Sequence, residues 1–298
     1  MNWIIASLLS AFFLGIYELC TKHAVNKNAI LPVLFYSTLT GAVVWGVLLA
    51  IQEVHPGLLP PSLVTDPLSP NQHLQLLLKS AIVAASWIFT YFALKNLPLS
   101  IGSPIRATSP LFTLFGAILI LGERPTVLEG LGVVTTLASF IGLSLVGQRE
   151  GIFFMRNKWV AFIMAGTLFG AVSSLYDKYL LTTLKFSVPT VQAWFSIYLF
   201  VLFTPFAIGW KRRWWQRNEF YWRWTIPLIA ISLLVADYIY FGALHDPHSL
   251  VSLVMSLRRR STLIGFVGGL LLFGEKNGWQ KFPAVLGILV GIALTILG

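Results

Sequence analysis

The sequence predicts an all-α membrane protein of ten transmembrane helices, arranged as two inverted repeats of five. Three observations indicate this class: an apolar composition, ten hydrophobic runs of suitable length, and a similarity between the two halves. Hydrophobic residues make up 56% of the chain and charged residues 11%, whereas soluble domains are about a quarter charged. This composition excludes an ordinary soluble domain.

Each hydrophobic run approaches the length of a bilayer span, because a hydrocarbon core about 30 Å thick needs about 20 apolar helical residues. The runs are continuously apolar rather than alternating, which favours helices over a membrane barrel. The predicted spans lie at about 3–22, 30–51, 74–95, 99–121, 127–147, 159–181, 189–210, 223–244, 249–273 and 282–297. The one long gap, residues 52–73, is rich in proline and is expected to be an irregular surface loop.

The termini, the single cysteine and the basic residues restrict the class further. The apolar run begins at Trp3 without a basic segment or cleavage site, so we expect a first span rather than a signal peptide. Cys20 alone allows neither an intrachain disulfide nor a multi-cysteine zinc site. The net charge of +10 comes from short loops where basic residues adjoin tryptophans, which favours contact with lipid headgroups over nucleic acid. The densest such cluster contains Lys211, Arg212, Arg213, Trp214, Trp215, Arg217, Trp222 and Arg223.

The two halves of the chain, residues 1–150 and 151–298, are similar. SIGSPIRATSPLFTLFGAILILGE in the fourth span aligns without a gap to SLVMSLRRRSTLIGFVGGLLLFGE in the ninth. The alignment places Arg106 on Arg258, Ser109 on Ser261 and Glu123 on Glu275. The segments YFALKNLP and YFGALHDP are also similar, as are CTKHAV and YDKYLL.

An odd number of spans per repeat gives the second copy the opposite orientation in the membrane. This inverted-repeat architecture is common among secondary transporters, where it places a site near the midplane and supplies two nearly equivalent packings for alternating access. We therefore expect a carrier of a small solute.

The paired GE sequences that end the fourth and ninth spans, the YFALKNLP segment and the five-plus-five pattern resemble the drug/metabolite transporter superfamily, specifically its EamA-type ten-helix branch. The resemblance covers nearly the whole chain. It implies that helices one, three, four, six, eight and nine surround a central cavity, with helices five and ten outside it.

The distribution of Lys and Arg predicts the orientation. The odd-numbered loops carry Lys22, Lys27, Lys95, Arg149, Arg156, Lys158, Lys211, Arg212, Arg213, Arg217, Arg223, Lys276 and Lys281. The even-numbered loops carry Lys79, Arg124, Lys178 and Lys185. Positive loops stay in the cytoplasm, so both termini are expected outside a plasma (inner) membrane. Ten-helix members of the family more often have cytoplasmic termini, so the count and the resemblance disagree.

Charged residues at bilayer depth cost at least about 2.5–3.5 kcal/mol to insert and usually mark a site. The repeat selects Arg106 and Arg258 as a cationic pair that lines the cavity and suits a carboxylate or phosphate. Alternatively, the arginines are structural and neutralised by acidic residues on neighbouring helices, namely Glu18, Asp177 and Asp237. Four deep arginines, Arg106 and Arg258 to Arg260, face those three acids, so an anionic or zwitterionic substrate is expected.

The same acids could carry a proton. Asp237 shares a helix face with Tyr240 and Phe241, because the spacings are three and four residues. A carboxylate beside a cavity can bind a proton, so Asp237 is the first candidate for proton coupling and Glu18 the second. A fixed partner for arginine is the alternative. Asp177 lies nearer a helix end, which favours a gating or interface role.

Aromatic side chains near these charges are candidates for the wall of the substrate site, although each could equally serve packing. They are Tyr17, Trp87, Tyr91, Tyr176 and Tyr240. His245 and His248 lie in a short loop without further ligands nearby, so neither a metal nor a cofactor is expected.

An integral membrane enzyme is an alternative class, but the sequence contains no GxSxG, HExxH or phosphate-binding glycine loop. A lipid flippase is a second alternative. The sequence leaves uptake, efflux and oligomeric state open.

Overall fold

The structure, a computed structural model, describes residues 3–55, 57–109, 111–112, 126–214, 218–244, 254 and 257–297. These residues form ten α-helices and no strand. The helices are α1 Trp3–Val25, α2 Ile30–Val54, α3 Pro70–Asn96, α4 Leu99–Ala107, α5 Val127–Gln148, α6 Lys158–Lys178, α7 Val188–Lys211, α8 Thr225–Leu244, α9 Ser261–Phe273 and α10 Gly278–Leu297. Eight helices are long and apolar enough to cross a membrane, the exceptions being α4 and α9. The all-α membrane class is confirmed.

Local sequence signals set several helix ends. Ser69 accepts a hydrogen bond from the N–H of Gln72, whose side chain bonds back to the N–H of Ser69, and Pro70 occupies the first turn. Thr126 and Glu129 form the same reciprocal cap at the start of α5. Gly274 ends α9 with a φ of 61°, a left-handed conformation that glycine adopts without strain.

The fourth and ninth spans are interrupted, which corrects the expectation of continuous helices over 99–121 and 249–273. Thr108 forms a turn after α4, and residues 259–260 form a turn before α9. The N–H groups of Thr108 and Arg260 bond to carbonyls three residues back, each at 3.1 Å. In the fourth span Pro110 has no N–H for the carbonyl of Arg106, which breaks the regular helical pattern.

Helix α4 packs against α9, and the four most extensive helix pairs are α1 with α8, α3 with α6, α2 with α7, and α5 with α10. In the last pair the backbones approach closely at two glycines. A Cβ on Gly132 would lie 2.6 Å from the carbonyl of Gly291, and one on Gly291 would lie 2.8 Å from the carbonyl of Gly132. Small residues permit such close helix contact in a lipid environment.

Two loops bear on the predictions. The segment between α2 and α3 contains one 3₁₀ turn, Pro61–Leu63, and its Asp66 N–H donates to Thr190 of α7 at 2.7 Å. At the start of the basic and aromatic cluster, residues 211–214 are exposed, while residues 215–217 lie outside the described part of the chain.

Candidate functional site: a charged cavity between the helices

A cavity of about 160 Å³ lies inside the bundle. Its lining comes from α1, α3, α4, α6, α7 and α8, from residues just before α9, and from Ser109. Among the described residues, α2, α5 and α10 contribute nothing to it. The resemblance placed α5 and α10 outside the cavity and α1, α3, α4, α6, α8 and α9 around it, but it did not include α7. Along each helix, the lining residues occupy the middle and the part nearer the even-numbered loops.

Three ion pairs hold most of the charge at this cavity. Lys79 of α3 pairs with Asp177 of α6, and Arg258 pairs with Asp237 of α8. Arg106 of α4 donates to Glu18 of α1 at 3.1 Å, behind the cavity wall. Ser103 also donates to Glu18, so both oxygens of that buried carboxylate are used.

Arg259 lines the cavity, and its side chain forms no hydrogen bond or ion pair with any residue in the described ranges. Among the described residues, the site therefore contains four cations (Lys79, Arg106, Arg258, Arg259) and three carboxylates (Glu18, Asp177, Asp237). The difference of four and three leaves one positive charge. Arg260 is exposed and does not line the cavity.

Aromatic rings line the cavity and contact two of its cations. The guanidinium of Arg258 lies over the ring of Tyr240, 4.2 Å from its centroid, and the ammonium of Lys79 lies 4.5 Å from that of Phe195. Both contacts have the geometry of cation–π interactions. Tyr17 and Trp87 also line the cavity and pack against each other with centroids 6.4 Å apart.

Several polar atoms near the cavity have no partner among the described residues. Gln192 donates through Nε2 to the carbonyl of Leu234 at 2.8 Å, which leaves its buried Oε1 without a hydrogen bond. The buried Nε of Arg258 is also unpaired. Buried polar atoms are normally satisfied, so such exceptions indicate a place for a ligand or for water.

The structure brings together most of the residues that the sequence selected. Arg106, Arg258, Tyr17, Trp87, Tyr240, Asp177 and Asp237 all line the cavity. Glu18, Tyr91 and Tyr176 do not. Glu18 lies behind Arg106, Tyr91 is fully buried and stacks on Trp87, and Tyr176 stacks on Tyr179.

Two residues of the site were missed. Lys79 was assigned to a loop, but α3 begins at Pro70, so Lys79 lies nine residues inside the helix and is buried. The sequence Ser69-Pro70-Asn71-Gln72 was an available signal, since it matches a capping box that fixes the helix start. Gln192 carries a polar amide in an apolar span. Because polar side chains at bilayer depth usually mark a site, the sequence could have selected this residue too. Glu123, His245 and His248 lie outside the described residues.

Comparison with known proteins identifies the family. Residues 1–145 match the model of the EamA-like transporter family. This match, over nearly the first half of the chain, places it in the drug/metabolite transporter superfamily. It is accordingly an integral, multi-pass membrane transporter with a small-molecule substrate.

The fold is similar to that of a solved crystal structure, with a TM-score of 0.63 and 16% sequence identity. The match covers 98% of this chain and 96% of the chain in that structure. At this identity the likeness shows the fold alone. No curated protein matches the sequence.

At the opposite end of this EamA-like chain, where the odd-numbered loops lie, polar contacts join the helices. We call this region the odd-loop end. The fully buried Lys281 donates to Glu150 at 2.8 Å, to Ser100 at 3.0 Å and to the carbonyl of Lys276 at 2.9 Å. Glu275 accepts from the N–H groups of Leu99 and Ser100 at 2.6 and 2.8 Å. This pattern closes the odd-loop end with satisfied hydrogen bonds.

Lys22 of α1 forms similar hydrogen bonds at the end of α3. Its ammonium donates to the carbonyls of Leu94 and Leu97 at 2.7 and 2.5 Å. These carbonyls belong to the last turn of a helix, where no backbone donor is available and a cation interacts favourably with the helix dipole.

Proposed function

We propose that this protein is a secondary transporter that moves a small anionic or zwitterionic metabolite across the membrane by alternating access. The observation that carries the proposal is a cavity between helices of both halves where the described residues supply four cations and three carboxylates, one of which, Glu18, lies behind the wall. A buried excess of positive charge attracts a ligand anion, and guanidinium groups bind carboxylates well. The sequence contains none of the catalytic motifs named above that would favour an enzyme.

Alternating access by two inverted repeats, residues 1–150 and 151–298, is part of this proposal. The helix pairs support it, because exchanging the halves converts the pair α1 and α8 into the pair α6 and α3. The pairs α2–α7, α4–α9 and α5–α10 are each converted into themselves. Such a packing offers two equivalent arrangements around one site.

Uptake into proteoliposomes tests the proposed substrate class. Purified protein is reconstituted and offered radiolabelled amino acids, small hydroxy acids, sugar phosphates, polyamines and sugars. We expect saturable uptake of a carboxylate or a zwitterion. Uptake of polyamines or uncharged sugars alone would contradict the charge argument.

We also propose that Asp237 couples transport to protons. When Asp237 binds a proton, Arg258 loses its partner and the net charge of the cavity rises by one. An anion then binds more tightly and, by linkage, the anion favours the proton. Glu18, the second candidate, is 4% exposed and already binds Ser103 and Arg106.

The variant Asp237→Asn tests this coupling. We expect it to abolish uptake driven by a pH gradient while exchange of labelled for unlabelled substrate continues. Full pH-driven uptake by Asp237→Asn would rule out the coupling role and leave the transporter assignment in place.

For the orientation, we propose that both termini lie outside the plasma membrane. The exposed basic side chains at the odd-loop end support it; they are Lys27, Arg149, Arg156, Lys158, Lys211, Arg212, Arg213 and Lys276. At the even-loop end, among the described side chains, Lys185 is exposed, whereas Lys79 is buried in the cavity. Positive loops remain cytoplasmic.

Cysteine labelling of intact cells checks the orientation with little background, because Cys20 is the single cysteine and is buried. An impermeant maleimide should label Lys185→Cys and leave Arg213→Cys unlabelled. The reverse pattern would place the termini in the cytoplasm.

A further inference from the structure

We propose that Arg259 binds the anionic group of the substrate, and that this group is a single carboxylate on a small molecule that also carries a hydrogen-bond donor. The inference rests on the transport function proposed above and assigns the substrate class of the same cavity. It differs from the sequence-based expectation, in which Arg106 and Arg258 formed the anion site.

The partners of the cations distinguish Arg259 from the rest. Arg106 is held by Glu18, Arg258 by Asp237 and Lys79 by Asp177. A substrate carboxylate would have to compete with a protein carboxylate at each of these. Arg259 is half-buried and has no such competitor among the described residues. A partly buried cation without a partner is unfavourable unless a ligand completes it.

The backbone explains how Arg259 reaches the cavity beside Arg258. On a regular helix consecutive side chains point about 100° apart, so two neighbouring arginines would face different directions. Residues 259–260 form a turn instead, and both Arg258 and Arg259 line the cavity. Arg258 therefore keeps Asp237, while the side chain of Arg259 has no partner among the described residues and can bind a ligand.

The charge balance favours a carboxylate over a phosphate. With Asp237 ionised, one bound carboxylate would neutralise the single excess positive charge counted among the described residues. A phosphate monoester carries about −1.5 to −2 at neutral pH, which would leave the site negative in that state. The substrate is therefore expected to place one negatively charged group, a carboxylate, near Arg259.

Gln192 predicts a second feature of the substrate. Its Nε2 donates to the carbonyl of Leu234, which fixes the orientation of the amide. Gln192 lines the cavity, and its Oε1 is buried and has no donor among the described residues. A hydroxyl or amino group of the ligand would satisfy this oxygen, so hydroxy acids and amino acids fit better than simple fatty acids.

The volume limits the size. The cavity measures about 160 Å³, and a cavity of about 150 Å³ holds a molecule the size of benzene. We therefore expect roughly six to ten non-hydrogen atoms, which excludes nucleotide sugars.

Thermal unfolding of the purified full-length protein in detergent tests the inference. The probes are lactate, glycerate and the small amino acids, each compared with its own carboxamide. We expect at least one acid to raise the Tm of the wild type, while its carboxamide has no effect. Arg259→Gln should weaken binding of that acid at least about tenfold, as expected for loss of a charge-assisted hydrogen bond. Arg259→Lys should retain part of the binding.

Arg260→Gln is the matched control, because Arg260 is the adjacent cation but is exposed and lies off the cavity. It should bind the acid as the wild type does. The inference is wrong if no acid of the panel raises the Tm, or if Arg259→Gln responds like the wild type.

Uptake of the stabilising acid into proteoliposomes separates this inference from the proposed function. An acid that binds through Arg259 but is not transported would overturn the transport function and leave the assignment of Arg259 intact. An acid that Arg259→Gln transports as well as the wild type does would overturn the assignment and leave the transport function intact.

Discussion

The odd-loop end and the cavity both contain buried cations, but these cations differ in whether they have hydrogen-bond acceptors. At the odd-loop end, Lys281 is fully buried and each of its three N–H bonds has an acceptor: Glu150, Ser100 and the carbonyl of Lys276. In the cavity, Arg259 lies beside three paired cations and has no acceptor among the described residues. A satisfied network stabilises one arrangement of helices, whereas an unsatisfied group provides a place for something else to bind.

The largest expected effect is at Lys281. The substitution Lys281→Met leaves the carboxylate of Glu150, whose side chain is 11% exposed, with the amide of Asn277 as its remaining partner among the described residues. Breaking a largely buried pair costs up to about 3–5 kcal/mol. A denaturant titration of the protein in detergent measures the loss. Lys276→Met is the control, because that side chain is exposed and should change stability by less than about 0.5 kcal/mol. Equal stabilities of the two variants would show that the odd-loop network is not structural.

A smaller effect is expected at Lys22. Its partners are neutral carbonyls of Leu94 and Leu97, so Lys22→Met removes two hydrogen bonds but leaves no unpaired charge. We expect a loss of about 1.5–3 kcal/mol in the same titration, since bonds to charged groups fall in that range. A loss as large as that of Lys281→Met would mean that charge pairing is not what separates the two lysines.

The smallest effect on stability is expected at Arg259. Without ligand, Arg259→Gln removes a cation that has no partner, so the free energy of unfolding should stay within about 0.5 kcal/mol of the wild type or rise slightly. A loss above about 2 kcal/mol would show that Arg259 is held by the protein and would erase the contrast with Lys281.

The sequence predicted the architecture well because hydrophobic run length is a direct consequence of bilayer thickness. Most predicted spans agree with the helices within a few residues, as for 127–147 against Val127–Gln148. The start of α3 was placed at residue 74 instead of Pro70, because polar residues precede the apolar run. Lys79 lies inside the predicted span 74–95 as well, but it was counted with the even-numbered loop because it lies near the predicted helix start.

The site was predicted in part. Aligning the halves selected Arg106 and Arg258, and both line the cavity. The alignment could not select Arg259, because periodicity assumes a regular helix and the chain turns at residues 259–260. Which cation lacks a partner depends on side-chain contacts between helices that are distant in the sequence, such as Lys79 with Asp177.

The single excess charge of the cavity has an electrical consequence. With a monoanion bound and Asp237 ionised, the charges of the described site residues and the ligand sum to zero, so reorientation of such a loaded carrier would displace no net charge. An empty carrier would retain one positive charge, and so would a loaded carrier that also holds the proton proposed for Asp237; on that charge the membrane potential exerts up to about 2.3 kcal/mol per 100 mV. Voltage would therefore act on the return of the empty carrier, and on the loaded step only when a proton is carried with the anion.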